Sequence, residues 1–173
     1  MAYAISLLLN ADLAEAVSER WRQLADAGLS RSMLELGYVP HVTLAVFDRL
    51  DAEVAAEALD EVLFRHSQID ITLAEIATFG PGSGVCYVTI APSPELFRLH
   101  EAVLDAAGEI CRPYYQVGRW TPHCTLATGL ADVDLGRAHE LLQRGWPLTG
   151  TFEAADLVEF APIVGIKRWA LAA

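Results

Sequence analysis

Pro40-His41-Val42-Thr43-Leu44-Ala45 recurs 82 residues later (123 − 41) as Pro122-His123-Cys124-Thr125-Leu126-Ala127, with five of the six positions identical. We call these hexapeptides the first and the second motif. A repeat of this kind indicates that two related units follow each other in the chain. Each motif is followed by a stretch of helical character, Asp51 to Phe64 after the first and Leu135 to Arg144 after the second. The repeat therefore predicts two similar lobes facing each other across a pseudo-two-fold axis, with two equivalent strands side by side.

The middle residue of each motif is predicted to differ in role from its neighbours. Along a β-strand, residues i and i+2 point to the same face and residue i+1 points to the opposite one. His41 and Thr43 are therefore predicted to project together, while Val42 turns into the core. The histidine and the threonine of the second motif share a face in the same way, with Cys124 in the buried place of Val42. This alternation favours a packing role for Cys124 over a role as nucleophile or metal ligand.

The residue types of the two motifs suit the cleavage of a phosphodiester. Such a reaction needs one group to take a proton from the attacking oxygen and another to give a proton to the leaving oxygen. Two imidazoles, His41 and His123, can do both, one neutral and one protonated. The hydroxyls of Thr43 and Thr125 can donate hydrogen bonds to the non-bridging oxygens, where negative charge develops. A packing role for a single His-x-Thr is common, but packing does not require the polar pair to recur on the same face of both lobes.

Around the motifs, apolar stretches of strand character alternate with helix-like stretches. The predicted strands are Tyr3 to Leu9, His41 to Phe47, Ile69 to Phe79, Val85 to Ala91, His123 to Thr128, Phe152 to Phe160 and Gly165 to Leu171. The predicted helices are Asp12 to Leu29, Asp51 to Phe64, Pro94 to Cys111 and Leu135 to Arg144. The loop Gly80 to Gly84 lacks the Gly-Lys-Ser/Thr ending of a phosphate loop and is predicted to be a hairpin turn. Because there is no long linker, we expect residues 1–173 to form one domain.

Composition restricts the class of partner. The net charge is −11 and the isoelectric point is about 4.7, which argues against a long nucleic acid, since such binding depends on many Lys and Arg contacts to phosphates. Alanine inflates the mean hydropathy of +0.30, and no apolar run reaches the roughly 20 residues of a membrane span. The N-terminus has no basic leader, and the three cysteines are scattered. We expect a cytoplasmic, monomeric protein with reduced thiols and no membrane contact.

On these motifs, His41-Val42-Thr43-Leu44 and His123-Cys124-Thr125-Leu126, the chain resembles the 2H phosphoesterase superfamily, and in particular its 2′-5′ RNA ligase and cyclic phosphodiesterase branch. The resemblance covers nearly the whole chain. It implies an α+β fold in which two pseudo-symmetric lobes, with antiparallel sheets lining a central cleft and helices on the outside, act on cyclic or 2′-5′ phosphodiesters without a metal. Carried over residue by residue, the catalytic set is His41, Thr43, His123 and Thr125.

Other residues near the motifs are candidates for substrate binding. Arg119 and Trp120 precede the second motif and are predicted either to reach the cleft mouth, as a phosphate donor and a stacking surface, or to be a solvated Arg and a core Trp. Tyr87 and Phe79 are predicted to line the pocket, with core packing as the alternative.

Three further groups of residues are expected to have other roles. Of the adjacent Lys167 and Arg168, at most one can face the cleft. The three remaining histidines have no Thr two residues later and are predicted to lie at the surface: His66, His100 and His139. Carboxylates such as Asp48, Asp51 and Glu53 lack metal-site spacing, so no metal and no other cofactor is expected.

Three functions remain open at this point. The leading hypothesis is metal-independent hydrolysis of a small cyclic phosphodiester, a 2′,3′-cyclic nucleotide, by in-line attack of water. The first alternative is 2′-5′ RNA ligation or cleavage at an RNA end with the same four residues. The second is a non-catalytic module that binds a nucleotide. The nearly identical motifs do not distinguish the acid from the base.

Overall fold

The computed structural model of the protein describes residues 1–160 and 162–173. The strands are β1 (Ala2–Leu9), β2 (His41–Phe47), β3 (Ile69–Thr78), β4 (Cys86–Ile90), β5 (His123–Ala127), β6 (Leu148–Phe160) and β7 (Val164–Ala170). The helices are α1 (Ala11–Asp26), α2 (Ser32–Glu35), α3 (Ala52–Leu63), α4 (Pro94–Ala107) and α5 (Asp132–Leu142), with a 3-10 turn at Pro113–Tyr115. The predicted α+β class is confirmed.

The order of the elements repeats. A β-α-β-α-β unit runs from β1 to β3, with the short α2 inserted before β2, and a second such unit runs from β4 to β6 before β7 ends the chain. Each unit carries its motif on the middle strand, β2 or β5. The element order therefore matches the duplication seen in the sequence.

All seven strands pair antiparallel in the order β1-β2-β5-β4-β3-β6-β7, with an additional pairing of β1 with β6. The long strand β6 pairs with β3 along residues 148–152 and with β1 along residues 152–160. It therefore joins both units, while β2 and β5 meet at their centre. The antiparallel pairing expected for this fold is confirmed.

Both motif strands contain a β-bulge at the same place. In the β1–β2 ladder the register shifts so that Leu44 has no partner, and in the β4–β5 ladder the same happens at Leu126. Directly beyond the bulges, Ser6 lies opposite Thr43 and Tyr87 lies opposite Thr125. Because a bulge turns the side chains that follow it, the two threonines are oriented by the same local device.

The helices cover the sheet with apolar faces at helical spacing. In α1 the buried residues are Leu13, Val17, Trp21 and Leu24, and in α4 they include Leu96, Leu99 and Val103. These side chains join the strands in one contiguous core. No described helix has both the length and the apolar character needed to cross a membrane.

Two helices end earlier than the sequence pattern predicts. The first helix stops at Asp26 instead of Leu29, and the fourth stops at Ala107 instead of Cys111. In both cases a glycine with a left-handed backbone follows, Gly28 with φ 68° and Gly108 with φ 69°. Such a conformation ends a helix. The four-residue α2 has no counterpart in the prediction, because one turn is too short to show periodicity.

The residues before α3 and α1 have different roles. The side chain of Asp51 accepts from the backbone N–H of Val54 at 3.2 Å, as expected of a cap. Asn10 stands at the N-terminus of α1 but does not cap it. Its side-chain oxygen instead accepts from the backbone N–H of Thr151 at 3.0 Å, which ties β6 to the start of α1.

Candidate active site

The two motif strands lie side by side, as the sequence predicts. Val42 of β2 stands opposite Cys124 of β5 in an antiparallel pair. In that register His41 lies across from Thr125, and Thr43 lies across from His123. Val42 and Cys124 are fully buried, whereas all four polar side chains of the motifs are partly exposed. The fold therefore brings the four polar side chains of the motifs to one face of the sheet.

A cleft of about 320 Å³ opens over this face. Its lining comes from both units and consists of Ala4, Ser6, Ser32, Met33, Leu36, Tyr38, His41, Thr43, Val46, Arg112, Tyr115, Thr125, Thr128, Val158, Phe160 and Ile163. Most of these side chains are apolar or aromatic. Three of the polar ones, His41, Thr43 and Thr125, lie where β2 meets β5, whereas His123 is not part of the lining. This combination is typical of a small-molecule site.

Both catalytic candidates are anchored in the same way. His41 Nδ1 lies 2.8 Å from the carbonyl oxygen of Val39, and His123 Nδ1 lies 2.7 Å from that of Thr121. A carbonyl oxygen only accepts, so each Nδ1 carries the proton. Each Nε2 is then left to exchange a proton with a substrate.

Two tryptophan side chains form hydrogen bonds with the backbone of the motif strands. The indole N–H of Trp120 donates to the carbonyl of Thr43 at 3.0 Å, and that of Trp21 donates to the carbonyl of Thr125 at 3.1 Å. Each threonine is therefore fixed through its own backbone by a side chain from outside its strand. A lone Trp on a helix face gave no sign of this role in the sequence.

For Arg119 and Trp120 the structure supports the second of the two alternatives, a solvated arginine and a core tryptophan, and for His100 it corrects the prediction. Trp120 lies in the core, 6% exposed, and stacks on His100 with ring centroids 4.1 Å apart, so it offers no surface at the cleft mouth. Arg119 is exposed and does not line the cleft. His100, predicted at the surface, is 1% exposed, and its Nε2 lies 2.8 Å from the carbonyl oxygen of Tyr115.

Aromatic rings surround His123. Its ring centroid lies 4.9 Å from that of Phe79 and 5.0 Å from that of Tyr87. Phe79 and Tyr87 stack on each other at 4.2 Å. Tyr87 is 6% exposed, whereas Phe79 is 47% exposed. Neither residue lines the cleft described above, and Tyr87 is packed as the alternative expected. Both nevertheless lie beside the second motif, and Phe79 keeps a surface open to solvent.

A different set of residues surrounds His41. The ring of Tyr38 lies 4.6 Å from the imidazole, and its hydroxyl donates to the carboxylate of Asp156. Asp156 is only 3% exposed, and its second oxygen accepts from Arg168 Nη2 at 3.1 Å. Of the two adjacent basic residues on β7, Arg168 is thus the one that reaches toward the cleft, while Lys167 pairs with Asp60.

Burial affects the protonation of both imidazoles. It lowers the pKa of His41, and the lowering is opposed by the carbonyl of Val39 and by the charge of Asp156, while the nearby His123 adds to it. Burial likewise lowers the pKa of His123, opposed by the carbonyl of Thr121. A lowered pKa favours the neutral form, which is the form that takes up a proton.

The Cys124 thiol lies in the core, on the opposite side of β5 from His123. Complete burial raises the pKa of Cys124 to about 12, so the thiol stays protonated at neutral pH. All three cysteines are free and buried, as expected. Within residues 1–160 and 162–173, no group of three or more His, Cys, Asp and Glu side chains is arranged to hold a metal ion.

Residues 11–161 match the family model of the 2′-5′ RNA ligase superfamily. LigT of E. coli in complex with 3′-AMP has 20% identity and a TM-score of 0.67, covering 99% of this chain and 98% of that chain. TT0787 of Thermus thermophilus has 17% identity and a TM-score of 0.67 with the same coverage. The MHV ns2 PDE domain has 17% identity and a TM-score of 0.52, covering 96% of this chain and 100% of that chain.

No curated protein matches the chain. At these identities the solved structures show a shared fold, whereas the family model spans most of the sequence. The chain therefore belongs to the 2′-5′ RNA ligase superfamily, the 2H phosphoesterases, and this membership supports a phosphodiesterase-type function.

Proposed function

We propose that the protein is a metal-independent phosphodiesterase that hydrolyses a small cyclic phosphodiester, a 2′,3′-cyclic nucleotide. The observation that carries this proposal is the pairing of β2 with β5 at Val42 and Cys124. That pairing brings two imidazoles and two hydroxyls to one face, where His41, Thr43 and Thr125 line the cleft and His123 is their neighbour on β5.

In the proposed reaction, water attacks phosphorus in line with the ester oxygen that leaves. One imidazole Nε2 takes a proton from the water as the new P–O bond forms. The other Nε2 gives a proton to the ribose oxygen as the old P–O bond breaks, which yields a phosphomonoester and a free hydroxyl. The hydroxyls of Thr43 and Thr125 donate to the non-bridging oxygens, where the charge of the transition state accumulates.

The size and charge of the cleft favour a small substrate. Its volume of about 320 Å³ is at the lower end of the roughly 300–1,000 Å³ typical of ligand pockets. Arg112 lines the cleft, but its guanidinium already binds Asp48 at 2.6 Å. A substrate with a single phosphodiester charge suits this site better than a chain of phosphates. E. coli LigT has been solved with 3′-AMP, NADP+ and ATP, which supports a nucleotide as the ligand class here.

The aromatic pair beside the second motif is the proposed binding surface for the base. The exposed side of Phe79 offers a flat apolar surface, and stacking of a base on such a ring contributes roughly 1–3 kcal/mol. Tyr87 supports Phe79 from behind. This role replaces the stacking surface expected at Trp120.

Two other functions remain candidates for the same site. The family description favours 2′-5′ RNA ligation or cleavage at an RNA end, but the net charge of −11 disfavours extended RNA contacts. A non-catalytic nucleotide-binding module would keep the cleft without turnover.

A panel of substrates separates these functions. The protein is incubated with the four 2′,3′-cyclic nucleotides, with a 2′-5′-linked dinucleotide and with RNA ending in a 2′,3′-cyclic phosphate, and the products are identified by mass spectrometry and chromatography. We expect turnover of at least one cyclic mononucleotide to a single phosphomonoester. Binding without turnover would support the non-catalytic module, and turnover restricted to RNA ends or 2′-5′ linkages would support the ligase branch. The double variant His41→Ala, His123→Ala controls for contaminating activity.

The oligomeric state, the domain organisation and the cellular location are also proposals. We propose a monomer that folds as one domain over residues 1–173 in the cytoplasm. Sedimentation equilibrium tests the first property, and coincidence of unfolding transitions followed by different probes tests the second.

A further inference from the structure

The two histidines occupy unequal positions in the duplicated fold. Ser6 of β1 and Tyr87 of β4 are equivalent, because each lies opposite the threonine of its motif. On its other side Ser6 faces Asp156 of β6, whereas Tyr87 faces Ala77 of β3. A buried carboxylate beside the first motif is thus replaced by a methyl group beside the second.

The carboxylate is held from two sides. One oxygen of Asp156 accepts from the hydroxyl of Tyr38, and the other accepts from Arg168 Nη2 at 3.1 Å. The ring of Tyr38 in turn contacts the imidazole of His41, tilted by 52°. Asp156 therefore lies one side chain behind His41, is buried and does not line the cleft. Its effect on the reaction has to pass through the imidazole.

We propose that Asp156 is a positioning residue that favours the protonated imidazole at His41, so that His41 is the general acid and His123 the general base. This assignment rests on the proposed function, because it divides the two proton transfers of that reaction. His123 Nε2 takes the proton of the attacking water, and His41 Nε2–H protonates the departing ribose oxygen. After release of the phosphomonoester, solvent returns a proton to His41 and removes one from His123.

Other charged or titratable groups face His41 from the surrounding elements. Arg112 and Tyr115 line the cleft from the segment before β5, and the positive charge of Arg112 is bound to Asp48. Arg168 of β7 is bound to Asp156, and His123 lies on the neighbouring strand. Arg168 reduces the effect of Asp156 on His41 but is itself largely in solvent, with 61% of its side chain exposed.

The pairing of β6 with β7 allows two variants that should shift the pKa of His41 in opposite directions, each with a matched control. Asp156 stands opposite Arg168 in the ladder, and the adjacent Lys167 points to the other face, where it pairs with Asp60 at 2.6 Å. Asp156→Asn removes a negative charge near His41, and Arg168→Met removes the positive charge that neutralises it. Asp60→Asn and Lys167→Met make the same charge changes away from the cleft.

The kinetic test is the pH dependence of kcat on the best cyclic nucleotide. A plot of kcat against pH is expected to be bell-shaped. Its alkaline limb reports loss of the proton from the general acid, and its acidic limb reports protonation of the general base. Removing the negative charge lowers the pKa of His41, so Asp156→Asn should move the alkaline limb down by about 0.5 to 1 in pH. This is less than the shift of roughly 1–3 caused by a charge in direct contact, because Tyr38 lies between the carboxylate and the imidazole. Arg168→Met should move it up by about 0.3, because the exposed arginine is screened. The acidic limb should stay in place in both.

Nuclear magnetic resonance of the imidazoles tests the same assignment without a substrate. In the resting protein we expect a higher pKa for His41 than for His123, and Asp156→Asn should lower the pKa of His41 alone. If no cyclic nucleotide is turned over, the proposed function fails while this titration still decides the role of Asp156. If Asp156→Asn does not fold, the upward change in Arg168→Met decides it.

Three results would overturn the assignment. The first is a higher pKa for His123 than for His41. The second is a change confined to the acidic limb in Asp156→Asn. The third is an equal change in Asp60→Asn or Lys167→Met, which would show a general effect of net charge.

Discussion

The indole of Trp120 provides a test of how the fold holds the catalytic strand. In Trp120→Phe the ring remains but the N–H that donates to the Thr43 carbonyl at 3.0 Å is lost. Leaving a carbonyl in the sheet without this donor costs about 1–3 kcal/mol. The smaller ring opens a small void in a site that is 6% exposed, which adds about 1 kcal/mol. We expect the free energy of unfolding to fall by about 2–4 kcal/mol.

The effect on turnover follows from the position of the threonine. In the variant the Thr43 carbonyl loses its hydrogen bond, although the Thr43 hydroxyl still has to donate to a phosphate oxygen. A displacement of about 1 Å can lower the rate by a factor of about 10². We therefore expect Trp120→Phe to lower kcat by about 10- to 100-fold. Trp21→Phe should have the same effect through Thr125, because the indole of Trp21 donates to the Thr125 carbonyl at 3.1 Å. Urea unfolding and kcat on the same preparations measure both effects.

Trp169→Phe is the matched control. Trp169 is fully buried, and its indole donates at 2.7 Å to Asp60, away from the cleft. The Trp169→Phe variant should lose about as much stability as Trp120→Phe but keep kcat within about threefold of the wild type, since Trp169 positions no catalytic group. If Trp120→Phe is destabilised but keeps the wild-type kcat, or if Trp169→Phe loses as much activity, the indoles only support the fold.

Four further predictions concern the motifs and the metal-free mechanism. His41→Ala and His123→Ala should each lower kcat by about 10² to 10⁴ with the fold intact by circular dichroism; near-normal rates in either would remove that histidine from the mechanism. Thr43→Val and Thr125→Val should have smaller effects, since each removes one donor and no proton-transfer group, and a threonine variant as inactive as its neighbouring histidine variant would contradict this division of roles. Activity should survive EDTA, and a loss restored by a divalent ion would contradict the metal-free mechanism. Cys124→Ala should keep kcat within about threefold, measured beside the resistance of the folded protein to alkylation, because a thiol this buried is not a nucleophile.

The motif strands could be predicted because the information is local. Alternation along His41 to Thr43 assigns each side chain to a face, and the duplication at His123 to Thr125 implies that the two strands are equivalent. The structure confirms the strand positions and their pairing at Val42. Helix ends were less accurate, since the pattern of apolar residues continues past the glycines that end α1 and α4.

The groups around His41 could not be predicted, because they depend on contacts between distant parts of the chain. Tyr38 and Asp156 are 118 residues apart and meet only because β6 returns to pair with β1. Asp156 does carry a signal in the sequence, a single carboxylate within the apolar stretch Ala154 to Val158. Its meaning needs the register that places it opposite Ser6. The burial of His100 is not predicted for a similar reason, since the Tyr115 carbonyl that it contacts lies in the 3-10 turn after its helix.

The doubled β-α-β-α-β unit also has an evolutionary consequence. Two identical half-length chains assembled on an exact two-fold axis would form an isologous dimer, and every residue of one would meet the same surroundings as its copy. In such an ancestor the two imidazoles would have equal affinity for a proton, and neither could specialise. Once two such halves are joined in one chain, each can change independently of the other. Asp156 in one half and Ala77 in the other are a difference of this kind, and it makes the surroundings of the two histidines unequal.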